Sequence, residues 1–282
     1  MSDASTVSTG PKPLHIRLLP HIGLFLLILL VWEMAVITNV IQTIMIPQPT
    51  AIMGAIWELY VTKGTIYSHF FITLFEAVAG FAIGGAVAIF LAVSSSLSET
   101  FKRYVTPYAV VLNVTPGIAL TPVVIAWFGY GMGSKVALAA IISFFPIFVN
   151  TLTGLTQIDR DREELFKSLG AKNRDLFTKL RVPAALPMMF AGLKIGLTTA
   201  LIGAVVAEFA QATAGVGVLM NRFSFQLDMA SSIATLLSMT VMGLLMFYSM
   251  EFLDDRIVFW RREARRAAAS RARARAWEAG LK

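Results

Sequence analysis

Residues 160–187 read RDREELFKSLGAKNRDLFTKLRVPAALP and form the long polar interval of an otherwise apolar chain. Within this interval two sets of apolar residues recur at positions i, i+1 and i+4, a spacing that places each set on one face of a helix. A generic run of charges would be a solvated loop, whereas paired apolar faces favour an element that docks on a surface. The apolar sets are Leu165, Phe166 and Leu169, then Leu176, Phe177 and Leu180, and the basic residues are Arg160, Arg162, Lys167, Lys172, Arg174, Lys179 and Arg181.

Two residues set the boundaries of these segments. Gly170 lies between the two apolar sets, where the chain can leave one helix and enter another at little steric cost. Pro183 biases Val182 away from the helical conformation, so we expect the second segment to end there. The sequence therefore predicts two short amphipathic helices that meet at Gly170 and lie on a membrane surface between two spans.

The composition of the whole chain is that of a membrane protein. Of its 282 residues 56% are hydrophobic and 15% are charged, and the mean hydropathy is +0.70. A soluble domain of this length is far more polar. Cys is absent and the three His residues do not cluster, which argues against a disulfide framework and a metal site. Glu33, Glu76 and Glu208 are also far apart in sequence, so no set of catalytic residues is visible.

Apolar runs of about 20 residues predict six membrane-spanning helices in an all-α protein. Gly80 and Gly84 in the second run have the GxxxG spacing that lets two helices approach closely. The third run is interrupted by Pro107, Pro116 and Pro122, which predicts either simple kinks or a discontinuous helix that lines a transport path. The predicted spans are 22–40, 68–93, 105–128, 136–155, 184–210 and 233–253.

The segments between the spans are predicted to differ in structure. Residues 129–135, GYGMGSK, resemble a phosphate loop, but Ser precedes Lys and the segment lies between two spans, so we interpret it as a tight turn. Residues 94–103 are predicted to be a polar loop, and residues 212–228 a glycine-containing connection. A helical stripe within residues 50–66 predicts an interfacial helix and consists of Ile52, Ala55, Ile56 and Leu59.

Two charged residues fall inside predicted spans. Glu33 lies in the first span, and an acid at that depth is a functional candidate by default. Lys194 lies near the start of the fifth span, where its long side chain is expected to extend to the membrane surface.

The basic residues are distributed unevenly between the two sides of the predicted bundle. Of the 24 lysines and arginines, all but four lie in the amino-terminal arm, in residues 94–104, in the polar interval or in the tail from 256 onward. The positive-inside rule therefore predicts that both termini and the polar interval are cytoplasmic. This asymmetry also explains the net charge of +7 without a role in nucleic-acid binding. The four exceptions are Lys63, Lys135 and Arg222 on the opposite side and Lys194 within a span.

The polar interval resembles the EAA loop of ABC-importer permeases, whose pattern is E-A-A, a Gly six residues after the Glu, and then I-x-L-P. Glu164, Gly170, Leu180, Val182 and Pro183 match it in order and spacing, although Leu165-Phe166 replace the two alanines, Leu180 replaces Ile and Val182 replaces Leu. In that family the loop forms coupling helices that insert into a groove on the ATP-binding subunit. The resemblance implies a coupling loop at 159–183 with docking residues Glu163, Glu164, Leu165, Phe166, Gly170, Ala171, Leu176, Phe177 and Pro183.

Other segments resemble the branch of these permeases that handles nitrate, sulfonates, taurine, bicarbonate and thiamine-precursor pyrimidines. They are Thr115-Pro116 through Pro122, Trp127-Phe128-Gly129, Ser134-Lys135, Asn150-Thr151, and Val206-Ala207-Glu208 followed by Gly215-Val216-Gly217. The resemblance implies a six-helix MetI-like fold that works as a homodimer or pseudo-dimer with two ATP-binding subunits and an external solute-binding protein. ATP and Mg would be bound by the partner subunit, and this chain would bind no cofactor or metal and catalyse no reaction.

These inferences define three regions and one expected function. Residues 1–19 are expected to form a flexible cytoplasmic arm, residues 20–255 the permease domain in a bacterial inner membrane, and residues 256–282 a basic cytoplasmic tail. We expect the permease subunit of an importer for a small anion or a pyrimidine-type precursor. A secondary transporter with a glutamate proton relay and a membrane-embedded enzyme are the alternatives, and the docking loop argues against a self-sufficient carrier. Candidate path or gate residues are Glu76, Asn113, Pro116, Pro122, Asn150 and Glu208.

Overall fold

The computed structural model describes residues 14–210 and 213–260, and these residues form α-helices joined by short turns. Most of the predicted arm and the tail beyond residue 260 lie outside the described residues. Two helical segments have the wider π-helical turn, Glu58–Thr62 and Leu176–Arg181. The α-helices are α1 (Leu14–Ile37), α2 (Pro49–Trp57), α3 (Thr65–Leu97), α4 (Glu99–Val114), α5 (Gly117–Phe128), α6 (Met132–Thr156), α7 (Arg160–Ser168), α8 (Asn173–Asp175), α9 (Val182–Phe209), α10 (Val216–Phe225) and α11 (Met229–Ile257).

The membrane-spanning segments agree with the predicted number if one bent pair is counted once. Five helical segments of the described chain are long and apolar enough to cross a membrane. The third predicted span is instead two helices, α4 and α5, whose axes meet at 103°. Of the two predicted alternatives, simple kinks or a discontinuous helix, the structure shows the discontinuous helix. Thr115 and Pro116 both have extended ψ angles, near 120°, because a residue before proline avoids the helical region and proline has no N–H to donate.

The described part of the chain divides into two compact units. One contains its residues up to Gly64 with Arg222–Ala234, and the other contains its residues from Thr65 to Asn221 and from 235 onward. In the first unit Glu33 accepts hydrogen bonds from the Thr50 backbone N–H at 3.2 Å and from its hydroxyl at 2.7 Å. Glu33 thus stabilises the amino end of α2, which is a structural role for this predicted functional acid. The predicted helical stripe of α2 is confirmed, since Ile52, Ala55 and Leu59 are buried.

In the second unit α3, α6 and α9 pack closely through small residues. A Cβ on Gly84 would lie closer than 3.0 Å to the carbonyl oxygen of Ala140, and one on Gly203 would meet the Ala139 backbone at 2.8 Å. The close packing predicted from the GxxxG spacing is therefore confirmed. Phe148 and Ile147 of α6 are fully buried in the adjoining core. These three helices form the frame to which the functional regions are attached.

Two segments that we predicted to be irregular are largely helical. The predicted loop 94–103 is a tight turn at Ser98, whose hydroxyl accepts a hydrogen bond from the Phe101 N–H and begins α4. The predicted connection 212–228 contains α10, whose Val216 and Leu219 are buried. Treating Gly215 and Gly217 as chain breakers concealed this apolar stripe.

Candidate functional site

The first half of the polar interval forms the predicted amphipathic helix, α7. Asp159 precedes it, and its carboxylate accepts a hydrogen bond from the Asp161 N–H at 3.2 Å, which satisfies one of the free donors at the helix start. Leu165 is 57% exposed and Leu169 is 77% exposed. Two exposed leucines on one face of a short charged helix form an apolar surface that nothing in the described chain covers.

Gly170 ends α7 in a left-handed conformation, with φ +82°. The Gly170 N–H donates to the Lys167 carbonyl and the Ala171 N–H donates to the Phe166 carbonyl, both at 3.0 Å. This pair of bonds is the Schellman arrangement, which satisfies carbonyls at a helix end and favours glycine at the left-handed position. The prediction that the chain leaves the first helix at Gly170 is confirmed.

The second half of the interval differs from the prediction. Pro183 does not end the helix, because the segment from Asn173 continues through the π-helical turn into α9. In that turn the Val182 N–H donates to the carbonyl of Phe177, five residues earlier, which gives the chain the extra room that proline needs. Leu176 is only 4% exposed and Leu180 is also buried, so the second apolar face packs within the chain. Leu176 is thus not part of the exposed face of the loop, and Pro183 lies in the first turn of α9.

Glu163 joins the two halves of this loop through ion pairs. Its carboxylate lies 2.9 Å from Lys167 on the same helix and 3.3 Å from Arg181 on the π-helical turn. Lys167 above all, and Arg181 with it, hold the pKa of Glu163 below its ordinary value. The contact with Arg181 fixes α7 against the start of α9, whereas Glu164 remains exposed.

A buried charged cluster lies at the other end of α6 and α9, away from the docking loop. Glu76 of α3 is fully buried and Lys135 of α6 is 5% exposed. The Lys135 ammonium donates to the Glu76 carboxylate at 2.7 Å and to the Ala214 carbonyl at 2.8 Å. Burying these two charges is tolerable because each compensates the other. The predicted tight turn is shorter than residues 129–135, because it covers Gly129–Gly131 and Lys135 already belongs to α6.

Glu208 completes this carboxylate–lysine cluster and binds the segment after α9. It is 1% exposed and accepts hydrogen bonds from the Thr73 hydroxyl and the Gly217 N–H, both at 2.6 Å. A Cβ on Gly215, whose φ is +130°, would collide with the Glu208 carboxylate. The Gly215 N–H also donates to the His69 ring at 2.9 Å. The cluster thus ties Ala214–Gly217 to α3 and α6, and the Gly-x-Gly spacing makes room for the carboxylate.

Glu76 and Glu208 were both predicted from the sequence as path or gate residues, but not as members of one cluster. The structure brings their carboxyl groups next to each other. His69 and Thr73 were not recognised as part of the site. They and Glu76 stand at positions i, i+4 and i+7 of α3, so a polar stripe on one face of an otherwise apolar span was the available signal.

Two adjoining cavities lie beside the bend between α4 and α5, and Ile118 and Val206 border both of them. Their volumes are about 420 Å³ and 230 Å³. The larger cavity also includes Thr121, Tyr130 and Phe209 in its wall. The volume of the larger cavity lies in the range that is typical of sites for small organic ligands.

The predicted path residues fall in three places. Asn113 lines the smaller cavity, Pro122 lines the larger one, and Pro116 begins α5 at the bend. Asn150 is different, because its amide donates to the Pro146 carbonyl at 2.8 Å and its Cβ lies against Gly192 of α9. Asn150 thus packs between α6 and α9 and lines neither of the two cavities.

Lys194 forms ion pairs with a neighbouring helix. Its ammonium is bonded to the carboxylates of Glu251 and Asp254 on α11, the latter at 2.6 Å. The side chain therefore joins α9 to the last turns of α11. Within the described ranges, no three His, Asp or Glu side chains are arranged to hold a metal ion.

Apolar helices of membrane-spanning length, an exposed amphipathic loop and cavities beside a broken helix define a multi-pass membrane transport protein. Residues 84–259 match the family of binding-protein-dependent transport system inner membrane components, and the chain belongs to this family. The expected identification as an ABC-importer permease is confirmed. The chain is a transport subunit, and ATP hydrolysis takes place on a separate subunit of such transporters.

Several curated relatives are similar over most of their length. The formylaminopyrimidine transport permease of Halalkalibacterium halodurans is 34% identical over 85% of this chain and 94% of its own. An Escherichia coli permease named for aliphatic sulfonates transport is 32% identical over 83% of this chain and 88% of its own. The riboflavin transport permease of Chloroflexus aurantiacus is 29% identical over 86% and 91%, respectively.

A solved structure of the inward-facing MetNI methionine ABC transporter supports the same fold. The match covers 76% of this chain and 97% of the matched chain in that structure, with a TM-score of 0.51 and 19% sequence identity. The predicted MetI-like fold is therefore confirmed.

Proposed function

We propose that this permease couples solute import to ATP hydrolysis through α7. The exposed apolar face formed by Leu165 and Leu169, tied to α9 through Glu163 and Arg181, carries the proposal. A partner's groove that covers this face buries apolar surface, and movement of α7 is passed to α9 through the ion pair and the continuous helix. Docking then involves Glu164, Leu165, Phe166 and Ala171, with Gly170 fixing the direction in which the chain leaves the helix.

The proposed assembly contains two copies of the permease, two ATP-binding subunits that hold ATP and Mg²⁺, and an external binding protein that delivers the solute. A second copy of this chain would cover the exposed aromatic and aliphatic side chains on the bent pair. Tyr108, Val114 and Trp127 are each more than 70% exposed in the single chain, so they are available for such a contact.

We propose an orientation with both termini and α7 in the cytoplasm. The excess of basic residues on that side supports it. The carboxylate–lysine cluster then lies near the external surface, because it sits at the ends of α6 and α9 opposite the docking loop. In this position the cluster would hold the segment after α9 as part of an outer gate.

The two cavities beside the α4–α5 bend form part of the proposed translocation path. Phe209 and Ala210 of the larger cavity directly follow Glu208 in the sequence, and Glu208 holds the segment after α9 through the Gly217 N–H. Rigid attachment of that segment would therefore keep the outer wall of the cavity in place. The solute is a small organic molecule or anion of the kinds that the relatives' names record, namely a formylaminopyrimidine, an aliphatic sulfonate or riboflavin.

Reconstitution tests the proposal. The permease, its ATP-binding subunit and its binding protein are placed in lipid vesicles, and ATP hydrolysis is measured with and without the binding protein. We expect stimulation by the binding protein, and we expect Leu165→Asp together with Leu169→Asp to abolish it while the permease remains inserted. Unchanged stimulation in that variant would disprove docking through α7. Cysteine labelling at positions 64, 168 and 270 tests the orientation, with 168 and 270 on one side and 64 on the other.

A further inference from the structure

The last turns of α11 have the composition of a helix that reaches the polar surface of a membrane. From Met229 to Met250 the helix contains no charged residue, and these 22 residues rise about 33 Å, close to the thickness of the hydrocarbon layer. Charged and apolar side chains are mixed in the remainder of the helix, where Phe252, Leu253 and Ile257 are exposed. Such a mixture is typical of the headgroup region.

The chain bends directly after this point. Val258 forms the bend, and residues 259 and 260 are helical again. Phe259 and Trp260 are exposed, and their ring centres lie 5.3 Å apart in an edge-to-face arrangement. One turn earlier the Arg256 guanidinium lies 5.0 Å from the centre of the Phe252 ring. Aromatic side chains beside cations anchor a helix at the headgroup level, so the described chain ends at the membrane surface.

The sequence after Trp260 holds most of the positive charge of the protein. Residues 261–282 contain eight basic residues and two acids, a formal charge of +6, whereas the entire chain carries +7. Seven of the eight basic residues are arginines, whose planar guanidinium matches the oxygen atoms of a phosphate group. The large apolar residues of this segment are Trp277 and Leu281, so it has few anchors for the groove of a protein partner.

The first four arginines of this segment are confined near the headgroups. Arg261 and Arg262 directly follow Trp260, and Arg265 and Arg266 follow within six residues, which is at most about 20 Å of extended chain. The attraction of a basic residue to an anionic leaflet acts within about one Debye length, roughly 8 Å at physiological salt. A nucleic acid or a soluble protein would have to compete at this surface with lipid phosphates that are always present.

We propose that the end of α11 and the arginine-rich segment after it form a binding surface for the phosphate groups of anionic phospholipids. Phe259 and Trp260 hold the start of the segment at the leaflet, and the arginines extend the contact along it. Only the choice of the cytoplasmic leaflet rests on the proposed function, because it follows from the proposed orientation.

A spin label in the basic segment tests the proposal in the full-length permease. The chain has no native Cys, so Ser270→Cys accepts a single label. The control is Ser168→Cys on α7, where neighbouring basic residues are paired with acids. Each protein is placed in lipid nanodiscs of phosphatidylcholine, either alone or with roughly one third phosphatidylglycerol. The accessibility of the label to a water-soluble paramagnetic reagent is then measured.

We expect phosphatidylglycerol to lower the accessibility at position 270 about fivefold or more and to leave position 168 unchanged. Raising the salt to about 1 M shortens the Debye length to about 3 Å and should restore the accessibility at position 270. Equal accessibility at position 270 in the two lipid mixtures overturns the proposal. An equal decrease at position 168 overturns it as well, because the effect would then not belong to the basic segment.

Two charge variants identify the chemistry of the contact. Arg→Gln at every arginine of residues 261–282 should abolish the effect of phosphatidylglycerol, whereas Arg→Lys at the same positions should retain most of it. An effect that persists in the glutamine variant contradicts binding by the arginines. Shielding of position 270 only after addition of the ATP-binding subunit or of a short RNA, and equally in both lipid mixtures, would overturn the proposal in favour of that partner. Both faces of the disc have the same composition, so the result is independent of the orientation, which labelling at positions 64 and 270 tests separately.

Discussion

Replacement of Gly170 by valine tests the docking loop with little disturbance elsewhere. A Cβ at this position would have no atom within 4 Å, so the substitution causes no collision inside the chain. Its effect comes from the backbone, because φ is +82° and an L-residue with a side chain disfavours that region. Gly54→Val is the matched control, since Gly54 lies in the helix α2, also has open space around its Cβ and has an ordinary helical conformation.

The expected cost follows from the conformation of Gly170. A left-handed residue other than glycine costs roughly 1–2 kcal/mol, and a β-branched side chain lies at the upper end or above it. Such a cost changes the population of the native loop by a factor of about 5–30. The Schellman hydrogen bonds of Gly170 and Ala171 would open, and α7 would lose its defined end. The helices of the core are not in contact with this position, so membrane insertion should be unaffected.

The measurement is the apparent affinity of the purified permease for its ATP-binding subunit, together with hydrolysis stimulated by the binding protein. We expect Gly170→Val to weaken association about 5–30-fold or to uncouple hydrolysis from uptake, and Gly54→Val to behave as wild type. If both variants associate and couple normally, the conformation of Gly170 has no role in docking. The loop would then be only a connection between α6 and α9.

Three further changes probe charged residues of the cluster, of the α9–α11 contact and of the docking loop. Glu208→Gln puts an amide N–H against a hydrogen-bond donor of the cluster, so uptake should fall at least tenfold while association with the ATP-binding subunit is retained; wild-type uptake would remove Glu208 from the gate. Lys194→Met leaves two neighbouring acids of α11 without their cation and should destabilise the protein by about 2 kcal/mol or more in thermal unfolding, whereas Lys63→Met removes an exposed pair and should have no measurable effect. The pKa of Glu163 is lower in the folded loop than in the unfolded chain. Ionised Glu163 therefore stabilises the folded loop above its ordinary pKa near 4.3, and this stabilisation is lost as the pH falls below that value. The fluorescence of a label on α7 should therefore change as the pH falls from about 5 to 3, because α7 separates from Arg181. Glu163→Gln should lack this transition. The same transition in both proteins would show that the Glu163–Arg181 pair does not hold α7 in place.

The sequence alone determined the parts of this protein that depend on local composition. A membrane excludes polar groups from its interior, so apolar runs and the distribution of Lys and Arg were enough to predict the spans. The helix of the docking loop and its end at Gly170 also followed from short-range pattern, because amphipathic spacing and glycine act within one or two turns. The close packing at Gly84 could also be predicted, because two small residues spaced one helical turn apart let a second helix approach closely.

The tertiary structure decided the features that depend on which helix faces meet. Glu76, Lys135 and Glu208 come from three different helices, and their pairing could not be read from positions 59 and 73 residues apart. Burial of Leu176 likewise depends on the surface that lies beneath it, since the same apolar stripe can face a partner or the chain itself. The sequence predicted a break at Thr115 and Pro116 but not its angle of 103°. The angle depends on the surrounding helices, which determine the direction of α5.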